Sequence, residues 1–478
     1  MHSLRRSLAG AALAIATAVA LGGCFVARVD PQKPELPLPD ALPAPTEATT
    51  ALPDPWWTLF GDVRLDGFIE EALAHNPDVT IAAARVAEAR AVLRIVSADR
   101  VPSLDVQGEA VRSKQSSAVL FPGAQRLDTS YQVQGVIGYE LDLWGRYARA
   151  ADSARAALLN SEFGREATKL SLTGDVARGY FGLIAAYQQL VRARDTLGTR
   201  DESLRLEKLR FDTGESDEFT YQRAEAEAAA TRKSVQQLEL EVTRRASSLS
   251  ILLGRSPRDL LDNLIAVDDA RLPDPVVLPA ELPSTVLQRR PDIGAAEAAL
   301  QSAAADIAVA RADLFPRISL TGAFGSVSAE LDDLFTRPME AWTVAGGVLQ
   351  PLFQGGRLRA NVARTEAVRE QRKAEYARTV QIAFGDVHDA LHGQTLIARA
   401  RDASAQQVAA LTRATQIAEL RYSQGDIAYL ELLDVRRGLF QAQIELLAAQ
   451  RDALLNTVDL ALAVGGGMGE LGERVSAR

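Results

Sequence analysis

Asn76-Pro77-Asp78-Val79 returns 214 residues later as Arg290-Pro291-Asp292-Ile293, and Pro102 returns at the same offset as Pro316. Farther along, Gly174-Asp175-Val176 returns as Gly385-Asp386-Val387, Arg210 with Gly214 as Arg421 with Gly425, and Gly254 as Gly465, all at an offset of 211. A repeat this long means that one structural plan is built twice. The three-residue change of offset falls between about 103 and 146, and between 317 and 357 in the second copy, so each half carries a loop there. After each such region the chain runs without proline, over 143–212 and 354–424. Leu158, Phe163, Leu170, Tyr180, Leu183, Tyr187 and Leu190 recur at helical spacing in the first of these. About 70 residues at 1.5 Å each gives a helix of roughly 105 Å. The return path of the first half comes in two pieces, 216–253 and 284–314, around a Pro-rich connector. In the second half 427–464 returns, with a helix over 67–99 completing it.

The variable regions read as strands. In YQVQGVIGYELD, Tyr131, Val133, Ile137, Tyr139 and Leu141 alternate with Gln132, Gln134, Glu140 and Asp142. In RISLTGAF, Ile318, Leu320 and Phe324 alternate with Arg317, Ser319 and Thr321, and Trp342, Val344 and Val348 continue on a returning strand. Such a pattern suits either a sandwich with one wet face or strands long enough to cross a bilayer at a tilt. Tyr131, Phe324 and Trp342 suit membrane interfaces. Four strands are too few for a closed barrel, which needs about eight or more, so several copies would have to share one. The count leaves dimer, trimer and tetramer open.

The N-terminus bears on compartment. Arg5 and Arg6 precede an uncharged Ala-rich run over 8–21, too short for a spanning helix, which ends in Leu21-Gly22-Gly23-Cys24. This resembles a bacterial lipoprotein signal, with Cys24, the single cysteine, as the lipid attachment residue carrying N-acyl and S-diacylglycerol groups. Phe25 after it favours, by the same resemblance, sorting to the outer membrane. Loss of the first 23 residues leaves 51 basic against 62 acidic side chains, a net charge of −11, which argues against nucleic acid as a partner. Eight prolines between 28 and 55 predict an extended tether rather than a packed element.

SQGDIAYLELLD, residues 423–434, sets Glu431 and Asp434 among leucines. Heptad counting along the following helix gives two apolar seams, one through Leu430, Leu433, Phe440, Ile444, Leu447 and Leu454, the other through Leu432, Val435, Leu439, Ala442 and Leu446. The seams lie roughly 155° apart, so a neighbour is expected on each side, as in the wall of a hollow cylinder. Glu431 and Asp434 occupy one polar face, Tyr429, Arg436, Gln443 and Gln450 the other. The pattern does not decide whether the acidic face borders a lumen or the outside. Enzyme chemistry finds little support. HDALH at 388–392 imitates a zinc-protease motif but has Asp389 in place of the glutamate base, and Ala177 and Phe181 stand at the repeat-equivalent positions. GGRLRANVAR lacks the Lys-Ser/Thr of a phosphate loop. No catalytic residue, metal site or cofactor is expected beyond the lipid on Cys24.

DPWWTLFGD at 54–62, LLGRSP at 252–257, LQRRPDIGAAEAAL at 287–300, ARADLFPRISLTGAFG at 310–325, PLFQGGR at 351–357 and LRYSQGDIAYLELLDVRRGLFQAQ at 420–443 follow one another across nearly all of the mature chain. With these motifs the chain resembles the TolC-like outer membrane factors, in the lipid-anchored NodT-like branch that serves resistance-nodulation-division (RND) efflux pumps. The resemblance implies a mainly α fold with a small β part. Long antiparallel helical hairpins would form a periplasmic α-barrel, and four transmembrane strands per protomer would close a twelve-stranded barrel in a homotrimer. It implies a passive duct for drugs or other toxic small molecules, held in outer membrane lipid and extending into the periplasm of a Gram-negative cell. A periplasmic adaptor (membrane fusion) protein and an inner-membrane RND transporter would be its partners. A type I protein secretion duct, or a coiled-coil scaffold lipoprotein without a pore, are the alternative readings.

Residue by residue, the resemblance makes Arg210, Gly214, Arg421 and Gly425 the hairpin tips that adaptors contact. It makes Tyr422, Glu431 and Asp434 the periplasmic gate, where rings of carboxylates would favour cations. A lock made by some relatives with arginine meets Gln450 here, beside Arg451; at the first tip Thr220 and Arg223 stand in place of the acid pair. The expected organisation is a signal peptide at 1–23, anchor and linker at 24–55, a first repeat at 56–254 with strands near 102–113 and 130–142, and a connector at 255–283. A second repeat at 284–465, with strands near 316–328 and 341–352, precedes a tail at 466–478.

Overall fold

The computed structural model describes residues 29–34, 55–114, 116, 127–262, 265, 267–276, 289–336 and 338–466. Cys24, the signal segment, most of the linker and the tail beyond 466 lie outside the described residues. The chain forms two compact units, and these cut across the repeat instead of following it. One comprises 1–35, 86–161 and 296–376, the other 36–85, 162–295 and 377–478.

The first unit holds the sheet: β1 (Ser103–Lys114), β2 (Leu127–Leu141), β3 (Arg317–Ser328) and β4 (Glu340–Leu349), antiparallel throughout in the order β1-β2-β3-β4. The strand ends move from the expected ones by up to three residues. Leu104 faces Ile137, Ile137 faces Gly322, and Gly322 faces Val344, so the register stacks one set of side chains across all four strands. Residues directly opposite one another share a face. One face therefore carries Leu104, Val106, Tyr131, Val133, Ile137, Leu320, Phe324, Trp342, Val344 and Val348; the other carries Gln107, Glu109, Gln132, Gln134, Ser319 and Thr321. The apolar face is bare in the single chain, with Trp342 at 74% and Val344 at 78% exposure.

At the base of the sheet Trp144 stacks on Phe315 with ring centroids 4.9 Å apart and donates from Nε1 to the Pro316 carbonyl at 2.7 Å. The next helix, α3 (Arg146–Asp212), begins under the Asp142 carboxylate, which accepts from the amides of Tyr147 and Ala148 and satisfies donors a helix start leaves open. Residues 29–34 also belong to this unit. Lys33 pairs with Glu297 at 2.6 Å, and Val29 and Pro31 border a cavity with Asp152 and Ala304. Residues 29–34 themselves form no regular secondary structure, and they touch this unit through that exposed ion pair and the cavity edge.

In the second unit a 3₁₀ turn, Trp56–Phe60, leads into α1 (Val63–His75), whose N-cap Asp62 accepts from the amides of Arg64 and Leu65. The expected continuous helix over 67–99 is two helices, because the residue before a proline is forced out of the α region. Asn76 takes ψ 130°, ends α1, donates to the Leu252 carbonyl at 2.9 Å, and accepts from the Asp78 amide to open α2 (Pro77–Ala98). Trp56, Phe60, Leu65 and Ile69 pack on Val176, Ala177, Tyr180, Phe181 and Ile184 of α3, with Leu249 of α4 (Glu218–Leu252) closing the cluster. Burial of such side chains contributes roughly 1.5–3 kcal/mol each. Gly254, at φ +74°, ends this return, and an added Cβ would stand 2.4 Å from the His75 carbonyl oxygen.

After the short α5 (Pro257–Asp262) and α6 (Pro291–Ala312), the second repeat supplies α7 (Arg357–Ser423) and α8 (Tyr429–Ala463). Their lengths, 67 and 35 residues, equal those of α3 and α4. Among the described residues no helix is long and apolar enough to cross a membrane.

Candidate functional site at the hairpin tips

Both tips are made the same way. Gly214 has φ +77° and Gly425 φ +80°, a conformation that a side chain disfavours. Each glycine amide turns back on the chain, Gly214 to Phe211 and Gly425 to Tyr422, while Glu215 and Asp426 donate to the carbonyls of Arg210 and Arg421. These are the helix-ending bonds that satisfy orphaned carbonyls. An added Cβ at either glycine meets nothing within 4 Å, so inside this chain the glycine answers to backbone conformation and the space beyond it is open.

The side chains then break the symmetry. Glu207 of α3 is buried, its side chain 4% exposed, and it receives the Tyr422 hydroxyl at 2.5 Å, Arg210 Nη1 at 3.1 Å and the Ser216 hydroxyl at 3.4 Å. Arg210 also donates to the Tyr422 oxygen and lies 5.2 Å over its ring. A carboxylate, a guanidinium and a phenol from two helices thus close one network, of the charge-assisted kind that outweighs neutral bonds. Burial, and then donation to Glu207, push the Tyr422 phenol up to about 12. Arg421 is exposed and takes no part in this network. Glu207 was not singled out from sequence; its only trace there is the spacing of three to Arg210.

Tyr429 of α8 is buried with Leu433, Ala224 and Leu204, its ring 6.0 Å from that of Tyr422. This corrects the heptad reading, which put Tyr429 on a polar face and Leu430 in a seam. At 3.6 residues per turn, Tyr429, Leu432 and Leu433 share one face, and all three are buried while Leu430 is exposed. Arg436 crosses to Glu419 at 2.8 Å and to Ser203, so its place on that face is a packing position too. Arg200, one turn before Leu204, is buried with Nε and Nη1 unpartnered; desolvation lowers its pKa, and the positive charges of Arg436 and Arg437 act in the same direction.

Glu431 and Asp434 point away from this packing and are exposed. At the first tip the amide of the equivalent Thr220 donates to the N-cap Asp217 carboxylate at 2.8 Å, and Arg223 lies over the Phe219 ring at 5.9 Å. Only the second tip offers free carboxylates at these positions. Gln450 borders a cavity with Tyr187, Gln188 and Gln443, and Arg451 pairs with its neighbour Asp452 at 2.7 Å. Among the described residues no group of three or more His, Cys, Asp or Glu is placed to hold a metal.

Two stretches, residues 68–255 and 282–466, match the family model for outer membrane efflux proteins. The solvent efflux pump outer membrane protein SrpC of Pseudomonas putida is 34% identical over 457 residues, covering 94% of this chain and 96% of SrpC. The probable outer membrane lipoprotein SilC of Salmonella typhimurium is 30% identical, over 95% of this chain and 98% of SilC. In fold, the crystal structure of the Campylobacter jejuni CmeC outer membrane channel superposes with a TM-score of 0.86 at 24% identity, over 93% of this chain and 98% of that one.

Proposed function

The chain belongs to the outer membrane efflux protein family, and from that premise we propose that three copies form a lipid-tethered duct joined to a periplasmic adaptor and an inner-membrane RND transporter. It is an outer membrane efflux channel with a TolC-like fold. The observation that carries the assembly is the open sheet. Among the described residues β1 and β4 are both unpaired edges, and the sheet between them has one apolar and one polar face. In hydrocarbon every backbone donor and acceptor must be paired, so such a sheet spans a membrane only when β4 of one copy meets β1 of the next. Three copies give twelve strands, with the apolar face toward lipid and the polar face toward a water-filled lumen.

Residues 29–34 support the tether. They are held in the same unit as the sheet, and Cys24 stands five residues before Val29, a reach of at most about 18 Å. A lipid on Cys24 would thus tether the unit that carries the strands.

At the tips, Glu431 and Asp434 are the gate acids of this reading, repeated in each copy as a ring that draws cations and repels anions. Tyr422 acts as the latch that ties the second tip to Glu207 of the first. Gly214, Gly425 and Arg421 offer the open, exposed surface an adaptor hairpin needs, while Arg210 divides its guanidinium between that surface and the latch.

Purified protein in a planar bilayer should conduct with a preference for cations that Glu431→Ala with Asp434→Ala reduces. Silence from both proteins would sink the duct. Deletion of the gene should lower tolerance across a panel of toxic compounds; unchanged tolerance with loss of a secreted protein would transfer the duct to type I secretion.

A further inference from the structure

We propose that His388 and His392 on α7 form a binding site for a divalent transition-metal ion, a site that neither the duct nor its gate uses. The repeat equivalents, Ala177 and Phe181, are fully buried in the core of the second unit, and Phe181 packs on Phe60 at 4.9 Å. In the second repeat the same two helix positions are exposed, with the His388 side chain at 49%. Packing within the chain therefore does not explain the histidines as it explains their counterparts.

Their geometry suits chelation. Residues four apart share a helix face, and the two rings stand with centroids 4.4 Å apart, tilted by 51°. Two imidazole nitrogens bound to one ion at about 2.0–2.1 Å need to be roughly 3 Å from each other, which rotation of rings already this close supplies without moving the backbone. Asp389 adds a second feature: its Oδ1 lies 3.2 Å from His388 Nδ1. A carboxylate only accepts, so this contact favours the tautomer with the proton on Nδ1, which leaves the Nε2 lone pair for a ligand. A carboxylate behind a ligating histidine is a recurrent way of fixing its tautomer and orientation.

Two neutral imidazoles with open positions select Cu²⁺ over Ni²⁺ and Zn²⁺, and all three over Mg²⁺ or Ca²⁺, which require oxygen. With two protein ligands the ion keeps solvent or cargo in its remaining positions. This differs from the catalytic zinc centre that HDALH imitates in sequence, because no glutamate base is present.

The chain has four histidines, which makes the test clean. His2 lies in the segment expected to be removed, and His75 turns Nδ1 to the Glu71 carbonyl at 3.0 Å. The assembled full-length mature protein, free of any histidine tag, would be titrated with Cu²⁺ by calorimetry and examined by electron paramagnetic resonance. The expected result is one Cu²⁺ per chain with hyperfine coupling to two imidazole nitrogens, falling to one in His388→Gln and in His392→Gln. The double variant should lose the site, and Asp389→Asn should weaken it about tenfold. Both histidines are exposed in the single chain, so the variant chains should keep the parent's helical circular dichroism. Binding of equal strength by parent and double variant, or no Cu²⁺ bound by the parent at millimolar concentration, would overturn the proposal.

Discussion

Tyr422→Phe leaves Glu207 buried with one fewer donor, and a bond to a charged acceptor contributes about 1.5–3 kcal/mol. Conductance in bilayers should rise in this variant, because the tie between the tips is weakened while packing against Tyr429 remains. The same tie should be sensitive to alkali. Free tyrosine ionises near pH 10 and Tyr422 near 12, so the folded state holds its proton more tightly. Its contribution is complete below about pH 10 and is lost as pH rises through the folded value. Parent channels should open progressively between about pH 10 and 12, and Tyr422→Phe should be flat there; identical pH curves would refute the latch. Little of this was legible in sequence. Tyr422 and Glu207 stand 215 residues apart, and nothing local to either announces the other. The acids Glu431 and Asp434, in contrast, stood out because they interrupt a leucine-rich turn.

Among the elements, glycines that look alike in the repeat carry different burdens. Gly214 and Gly425 have open space around them, so alanine there meets only the cost of a left-handed backbone, about 1–2 kcal/mol. At Gly254 the same alanine also collides with the His75 carbonyl. Gly254→Ala should therefore lower the melting midpoint much more than Gly214→Ala, and equal midpoints would contradict the close approach. The paired long helices could be read from absent prolines, and the strands from their period of two. The break at Asn76 was lost in a pattern that stays helical on both sides of Pro77. The burial of Tyr429 was hidden by a different cause: Leu204 and Ala224, which cover it, stand about 200 residues away in the chain, and nothing local to Tyr429 announces them.

For the whole molecule, the two-faced sheet makes the membrane claim easy to challenge. Val344→Arg puts a charge on the apolar face, at a cost of about 2–4 kcal/mol at bilayer mid-depth, whereas Thr343→Arg puts it on the polar face. Extraction of outer membranes should recover assembled Thr343→Arg and little Val344→Arg. Comparable yields would argue for a sheet with water on both sides. The two compact units were not foreseeable from the repeat, since each gathers segments from both halves. Duplication records ancestry, whereas compactness records which segments pack together. One consequence lies in the ownership of the latch. Glu207, Arg210 and Tyr422 all come from a single polypeptide, so in the proposed trimer each subunit would carry its own bolt, and drawing one would leave its neighbours' bolts shut. An assembly fastened in this way would open by degrees, and the work of opening would grow in proportion to the number of subunits released.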